Sequence, residues 1–365
     1  MSSIRKRKWT APSGEQKTAW QIDYRDTAGK RRSKQFARKK DADAWATQAV
    51  WQVSQGIHTA DSQSLTVKQA GEIWITRVEA DNRERATVAN YRAILGRHIV
   101  PLIGAERLSR LTMPAVRNFA DRLLEGRSRA TAARALHHLR MILKEAQGRG
   151  LIGQNVALGV RLPKAAREKS KVEIPTKDEL KAMLAASGDH LKPFVMTAIF
   201  TGLRASELRG LTWHNVNLKK GTVSVTQRAD RFDQIGLPKS EAAHRTIPLP
   251  PALIAELKAW KLRCPISKLD LVFAAPSGGV LNYKNFMTRQ FLPMLEEAKL
   301  QRIGLHALRH AAASAWIHQG IDLKRLQTWI GHGSIQLTID CYGHLLKDEG
   351  RDAALAAAAQ KELLG

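Results

Sequence analysis

Apolar residues follow three successive patterns along this chain. In Trp20-Gln-Ile22-Asp-Tyr24 they alternate, the period of a half-buried strand. Asp26-Thr-Ala-Gly29 predicts a turn and Lys30 to Phe36 a returning strand. From Asp41 the period becomes helical: Trp45, Ala49 and Val53 share a face, and Gly56 stops the run. Residues 1–60 therefore read as a small β-sheet plus helix rather than a solvated tail.

The stretch 65–160 is helical throughout by pattern. Thr66-Val-Lys-Gln69 is a capping box, and Val67, Trp74 and Val78 follow on one face. Val88, Tyr91, Leu95 and Ile99 repeat at helical spacing until Pro101, which predicts a break. Thr112 caps a third helix with Val116, Phe119 and Leu123 inward. Leu136, Leu139, Leu143 and Ala146 form a fourth stripe, closed by Gly148. Four amphipathic helices of this kind bury one common core. Between Arg161 and Lys171, five basic residues, one acid and a proline predict a linker (161–173).

From residue 174 onward helices mix with a short sheet, an α+β pattern that is mainly helical. Thr176-Lys-Asp-Glu179 is a second capping box, and Pro193 to Thr201 reads as a buried helix ended by Gly202. Thr222 to Thr226 and Thr246 to Leu249 predict strands of a small antiparallel sheet. Helices resume near Pro251, Asn282, His306 and Asp322.

Charge changes the picture. The chain of 365 residues carries 59 Lys and Arg against 33 Asp and Glu, a formal +26, which calls for a polyanionic partner. The excess is +10 over residues 1–40, −2 over 41–60, +11 over 61–172 and +7 over 173–365. Charge spread over successive segments, without a basic amphipathic helix bearing a broad apolar face, fits a chain wrapping a duplex better than one lying on a membrane. No run reaches the roughly 20 apolar residues of a membrane span. The N-terminus lacks a signal-peptide core, and two cysteines, Cys264 and Cys341, cannot build a disulfide framework. A cytoplasmic setting is expected.

The chemistry gathers after residue 200, in Thr201-Gly-Leu-Arg204-Ala-Ser-Glu207-Leu, in Lys239 between two strands, in His306-Ala-Leu-Arg309-His310, and in Gly331-His332-Gly-Ser334 followed by Tyr342. Singly, each has a plain explanation: a surface ion pair for Arg204 and Glu207, a solvated lysine, a core tyrosine. His306 and His310 stand at the spacing of a helical metal pair, but no neighbouring glutamate, cysteine or third histidine completes a site, so no metal is expected.

In combination, these motifs resemble the tyrosine recombinases, specifically phage-type site-specific integrases. The resemblance implies a catalytic set of Arg204, Lys239, His306, Arg309, His332 and the nucleophile Tyr342, supported by Glu207 and His310. Lys219 and Lys220 compete with Lys239 for its place. It also implies an arm-binding module (1–60), a core-binding domain (65–160) and a catalytic domain (174–365), with the last two clamping double-stranded DNA. DNA contacts are expected from Arg31, Arg32, Lys34, Arg127, Arg129, Arg134, Arg140, Lys169 and Lys171.

The implied reaction cuts and rejoins strands through a 3′-phosphotyrosyl link, with no cofactor. His306 is the candidate base for the tyrosine. Further implications are a homotetramer on core and arm attachment sites, a directionality factor and a DNA-bending host protein. A neighbour can receive the C-terminal helix through Leu355, Leu363 and Leu364; packing on its own domain is the other reading. Two alternatives stay open: relaxation of a single strand in the manner of a type IB topoisomerase, and a non-catalytic, architectural DNA-binding protein.

Overall fold

The computed structural model describes residues 3–25, 29–54, 63–164, 174–345 and 349–364. The chain divides into two compact units, Met1–Glu168 and Lys169–Gly365. Among the described residues no helix is long and apolar enough to cross a membrane.

The first unit opens with an antiparallel sheet in the order β1 (Ser3–Thr10), β2 (Gln16–Arg25), β3 (Arg31–Phe36). The first strand carries four consecutive basic residues, Arg5 to Lys8, which hide its period, and its pairing partner supplies what pattern could not. Helix α1 (Lys39–Ser54) covers one face, burying Ile22 against Ala42 and Ala46 with Trp20, Phe36 and Trp45 around them. The turn residues 26–28, Gly56 and the side chain of Val53 lie outside the described residues.

The rest of this unit is helical: α2 (Val67–Ala80), α3 (Arg85–Ile94), α4 (Val100–Ile103), α5 (Met113–Gly126) and α6 (Arg129–Gly148). Thr66 and Gln69 close the capping box at 3.2 and 2.9 Å, an arrangement worth about 1 kcal/mol. Val67, Trp74, Val88, Leu95, Ile99, Val116, Phe119, Leu123, Leu136, Leu139, Leu143 and Ala146 meet in one core.

Pro101 does not break its helix. Leu95–Ile99 form a π-helical turn in which Val100 N–H reaches Leu95 O, and the helical path runs on through α4. A proline leaves the carbonyl four residues back without a donor and collides with it. The wider turn just before the ring relieves both. The same device precedes Pro293, where Met287–Phe291 are π-helical.

The second unit contains α7 (Lys177–Ala186), α8 (Lys192–Thr201), α9 (Ala205–Arg209), β4 (Val216–Asn217), β5 (Thr222–Val225), β6 (Arg228–Ala229), β7 (Ile235–Gly236) and β8 (Arg245–Pro248). There follow α10 (Pro251–Arg263), α11 (Tyr283–Phe286), α12 (Leu292–Glu297), α13 (Leu305–His318), α14 (Leu323–Ile330), α15 (Ile335–Tyr342) and α16 (Glu349–Leu364). The sheet runs β4-β5-β8, antiparallel, with Val223 opposite Ile247 and Val225 opposite Arg245. Helix α8 is apolar on every side because it is central, buried among α13, α10 and α7.

Two glycines aim the site. Gly202, at φ +59°, turns the chain out of α8, and a Cβ there would meet Ala312 at 3.2 Å and Ile330 at 3.3 Å. Gly331, at φ +71°, ends α14 in the left-handed conformation that glycine adopts without strain. Its N–H bonds back to Gln327 O at 2.8 Å, sending His332 across the helix end.

Candidate active site

Arg204 stands at the mouth of α9, one turn ahead of Glu207. The carboxylate of Glu207 accepts the backbone N–H of Arg204 at 2.8 Å and its Nη1 at 2.7 Å. This is no surface ion pair, because the Glu207 side chain is only 3% exposed, whereas Arg204 keeps 36%. Burial alone would raise the Glu207 pKa. The hydrogen bonds and charge of Arg245, reinforced by Arg204, overcome it and hold the carboxyl below its ordinary value.

The C-terminus of α14 brings the cations together. Its last carbonyls have no partner within the helix and carry the negative end of the helix dipole. Trp329 O accepts Arg245 Nε at 2.7 Å, Ile330 O accepts Arg309 Nη2, and Gly331 O accepts Arg204 Nη2 at 2.8 Å. Three successive carbonyls thus receive guanidiniums from three different elements. Arg309 also donates Nη1 to Gly202 O at 2.8 Å, so it spans the ends of α8 and α14. Burial, and after it the charge of Arg204, pushes its pKa below the usual guanidinium value.

Tyr342, the last residue of α15, is 1% exposed. Its hydroxyl lies 2.9 Å from His310 Nδ1, and its ring stacks on His332 at 6.2 Å and 10°. Burial pushes the phenol up to about 12 against the opposing charges of Arg309 and Arg204. Burial and then the neighbouring His306 and Arg309 push His310 down to about 4. His310 is therefore neutral, and in its Nε2-protonated tautomer Nδ1 can accept a hydrogen bond from the phenol. His332, also pushed down to about 4 by burial and by Arg309 and Arg204, is oriented by Thr338 Oγ1, 3.1 Å from its Nδ1. His306 lies behind His310, ring centroids 4.5 Å apart, so the histidine on the tyrosine is His310 rather than the expected His306. The reason is depth along the helix: the two share a face of α13, but His306 lies exposed in the first turn and His310 one turn further in, where it is buried beside Tyr342.

A tyrosine hydroxyl beside an imidazole, with two guanidiniums fixed through their terminal nitrogens, is a constellation suited to phosphodiester chemistry. Residues 174–349 match the model of the phage integrase family. The second unit of the chain thus carries a phage integrase domain. The chain is similar, at 26% identity over 90% of its length, to a XerC-like tyrosine recombinase of Caldanaerobacter subterraneus subsp. tengcongensis, 92% of which is covered. In fold it is similar to the Tn1549 transposon integrase solved with circular-intermediate DNA (TM-score 0.67, 18% identity, 81% of this chain and 99% of that one). It is also similar to lambda integrase solved as a tetramer on a Holliday junction (TM-score 0.61, 18% identity, 90% and 95%).

The remaining expected site residues fall in varied places. Lys239 is exposed in the loop between β7 and β8, outside the buried cluster of Arg309, His310, His332 and Tyr342. Among the described residues no group of three metal-capable side chains gathers, and His306 and His310 meet edge to face. Arg127, Arg129 and Arg134 are exposed at the junction of α5 and α6, and Arg129 Nε also holds Pro163 O at 2.9 Å. Arg140 differs: its guanidinium is turned onto the carbonyls of Ala157 (3.1 Å) and Val160, bracing the chain after α6. In the sheet, Arg31 is exposed and pairs with Asp23 at 3.5 Å, Arg32 is half-buried, and Lys34 lies 4.9 Å over the Trp45 ring on the helix-covered face. Lys169 and Lys171 lie outside the described residues.

Pattern reading missed Arg245. Its signal was present: Arg245 and Ile247 alternate on the inward face of β8, with Leu249 buried just after it, and a charge in that register demands a buried partner. Arg209 is a second such case, buried and bonded to Asp233, Asp230 O and Leu281 O.

Proposed function

We propose that this protein is a site-specific DNA recombinase that integrates, and also excises, a mobile element. The observation that carries the reading is one closure around the end of α14. It holds a buried tyrosyl hydroxyl on His310 while two guanidiniums, Arg204 and Arg309, are fixed to adjacent carbonyls.

A phosphodiester repels nucleophiles and has a poor leaving oxygen. Arg204 and Arg309 donate to its nonbridging oxygens and stabilise the charge that grows toward the pentavalent transition state. His332 adds a donor. Oη of Tyr342 bonds to phosphorus as its proton passes to His310; the bond to the 5′ oxygen breaks, and Lys239 protonates that oxygen. The product is a 3′-phosphotyrosyl link and a free 5′ hydroxyl, and reversal against another strand's 5′ hydroxyl rejoins DNA without a cofactor.

On this reading residues 1–60 grip arm sites, 65–160 and 174–365 clamp the core site, and 161–173 link them, in the cytosol. Lambda integrase forms a tetramer on a Holliday junction, and the same assembly is proposed here. Within its own chain, α16 leaves Leu363 and Leu364 exposed, which favours a neighbouring protomer as their cover. A directionality factor and a DNA-bending host protein complete the expected partners. The test is a nicked duplex carrying the element's junction, which traps the covalent adduct. Tyr342→Phe should bind this DNA and form none. Adducts persisting in that variant would move the nucleophile elsewhere, with Tyr283 next in line.

A further inference from the structure

Arg245 touches no reacting atom in the scheme above, yet it is the most heavily engaged cation near the site. Its side chain is 0% exposed and grips Glu207 with both ends of the guanidinium, Nη1 to Oε1 at 3.1 Å and Nη2 to Oε2 at 2.8 Å. Nη1 also donates to Ala243 O at 2.9 Å and Nε to Trp329 O at 2.7 Å. The backbone of Gly331 lies so close that a Cβ there would meet Arg245 Cδ, Nε and Cζ at 3.0 Å. Arg245 therefore joins three parts of the site: the carboxylate under Arg204, the helix end that receives Arg309 and Arg204, and the downstream end of the loop that carries Lys239.

We infer that Arg245 is a positioning residue for strand cleavage, sharing Glu207 with Arg204 so that the carboxylate anchors Arg204 without cancelling its charge, and pinning the end of α14 against β8. This rests on the recombinase reading. Its logic is one of charge. Arg204, Arg309 and Arg245 against Glu207 leave a net +2 for the incoming phosphate. Without Arg245 the balance is +1, and Glu207, left with Arg204 as its guanidinium partner, offsets the charge that Arg204 offers to phosphate from its exposed side. An arginine used only to fill space would be a poor choice for a fully buried position, because an apolar side chain packs there without desolvating a charge. The bidentate grip is also one that lysine cannot reproduce.

The test compares the full-length wild type, Arg245→Met and Arg245→Met/Glu207→Gln on the nicked duplex. Single-turnover adduct formation, DNA affinity and thermal melting are read for each. Arg245→Met should bind DNA within about twofold of wild type and cleave roughly 10²-fold more slowly, the scale of a small misplacement of catalytic groups. The double variant restores +2 and should regain at least about tenfold of that rate when both variants are assayed well below their melting temperatures, where a loss of stability alone leaves both folded and equally active. If Arg245→Met fails to fold, Arg245→Lys is compared with Arg245→Gln, and the charged variant must cleave faster. A folded Arg245→Met at wild-type rate, a double variant no faster than the single, or equal lysine and glutamine variants would each overturn the inference. A wild-type protein that forms no adduct would overturn the recombinase reading itself, a different failure.

Discussion

The hydroxyl of Tyr342 and Nδ1 of His310, 32 positions apart in the chain, lie 2.9 Å from each other inside the second unit. The pair couples an unusually weak acid, pushed up to about 12, to an imidazole pushed down to about 4. In the DNA-free protein the proton stays on the phenol. Transfer becomes favourable only as phosphorus takes up the oxygen's electrons.

This arrangement predicts an order among the histidines. His310→Gln preserves a hydrogen-bonding group but cannot take the proton, and should slow adduct formation roughly 10²- to 10⁴-fold with DNA affinity unchanged. His306→Gln should cost less. Rapid-quench cleavage of the nicked duplex measures both, and a larger loss at His306 would show that His306, not His310, takes the proton when DNA is bound.

Stability should fall in mild acid for the same structural reason. His310 and His332 titrate near 6.5 when unfolded and at about 4 when folded. Between these values the unfolded chain holds more protons, so their contribution is complete above about pH 6.5 and is lost as pH falls toward 4. Melting temperatures between pH 7.5 and 4.5 should therefore drop more steeply in wild type than in His310→Asn. Parallel curves would mean that His310 is protonated as readily in the folded protein as in the unfolded one.

Lys239 on its exposed loop is assigned the leaving-group proton. Lys239→Ala should cleave roughly 10²-fold or more slowly on ordinary DNA, within the range for a lost general acid. Sulfur in place of the bridging 5′ oxygen removes the need for that acid, because a thiolate leaves readily. Cleavage of this substrate by Lys239→Ala should recover to near the wild-type rate, whereas Arg204→Ala stays impaired. Rescue of Lys219→Ala or Lys220→Ala instead would move the acid to the turn between β4 and β5.

Much of the architecture was legible because its causes are local. Both capping boxes, at Thr66 and Thr176, formed where four-residue motifs put them, since donor and acceptor lie three positions apart. The stripes of α2, α5 and α6 face inward as their periodicity requires. Strand β1 was hidden because four basic residues in a row have no apolar period, and only pairing with β2 gives them strand geometry. Pro101 misled because a π-helical turn, set by packing around it, removes the clash that makes proline a breaker.

The chain by itself pointed to the groups proposed to react, since Arg204, Arg309, His332 and Tyr342 sit in short motifs whose chemistry is recognisable. It could not say which groups hold them. Glu207 and Arg245 are 38 positions apart, Arg245 and Trp329 84, Arg309 and Gly202 107, and Arg204 and Gly331 127. No helical or strand period relates positions so distant. Their contacts exist only because α8 and α14 end side by side, at glycines that expose their last carbonyls, and a row of buried carbonyls draws guanidiniums from whichever elements pass within reach. Sequence determined the chemistry; the meeting of two helix ends decided its geometry.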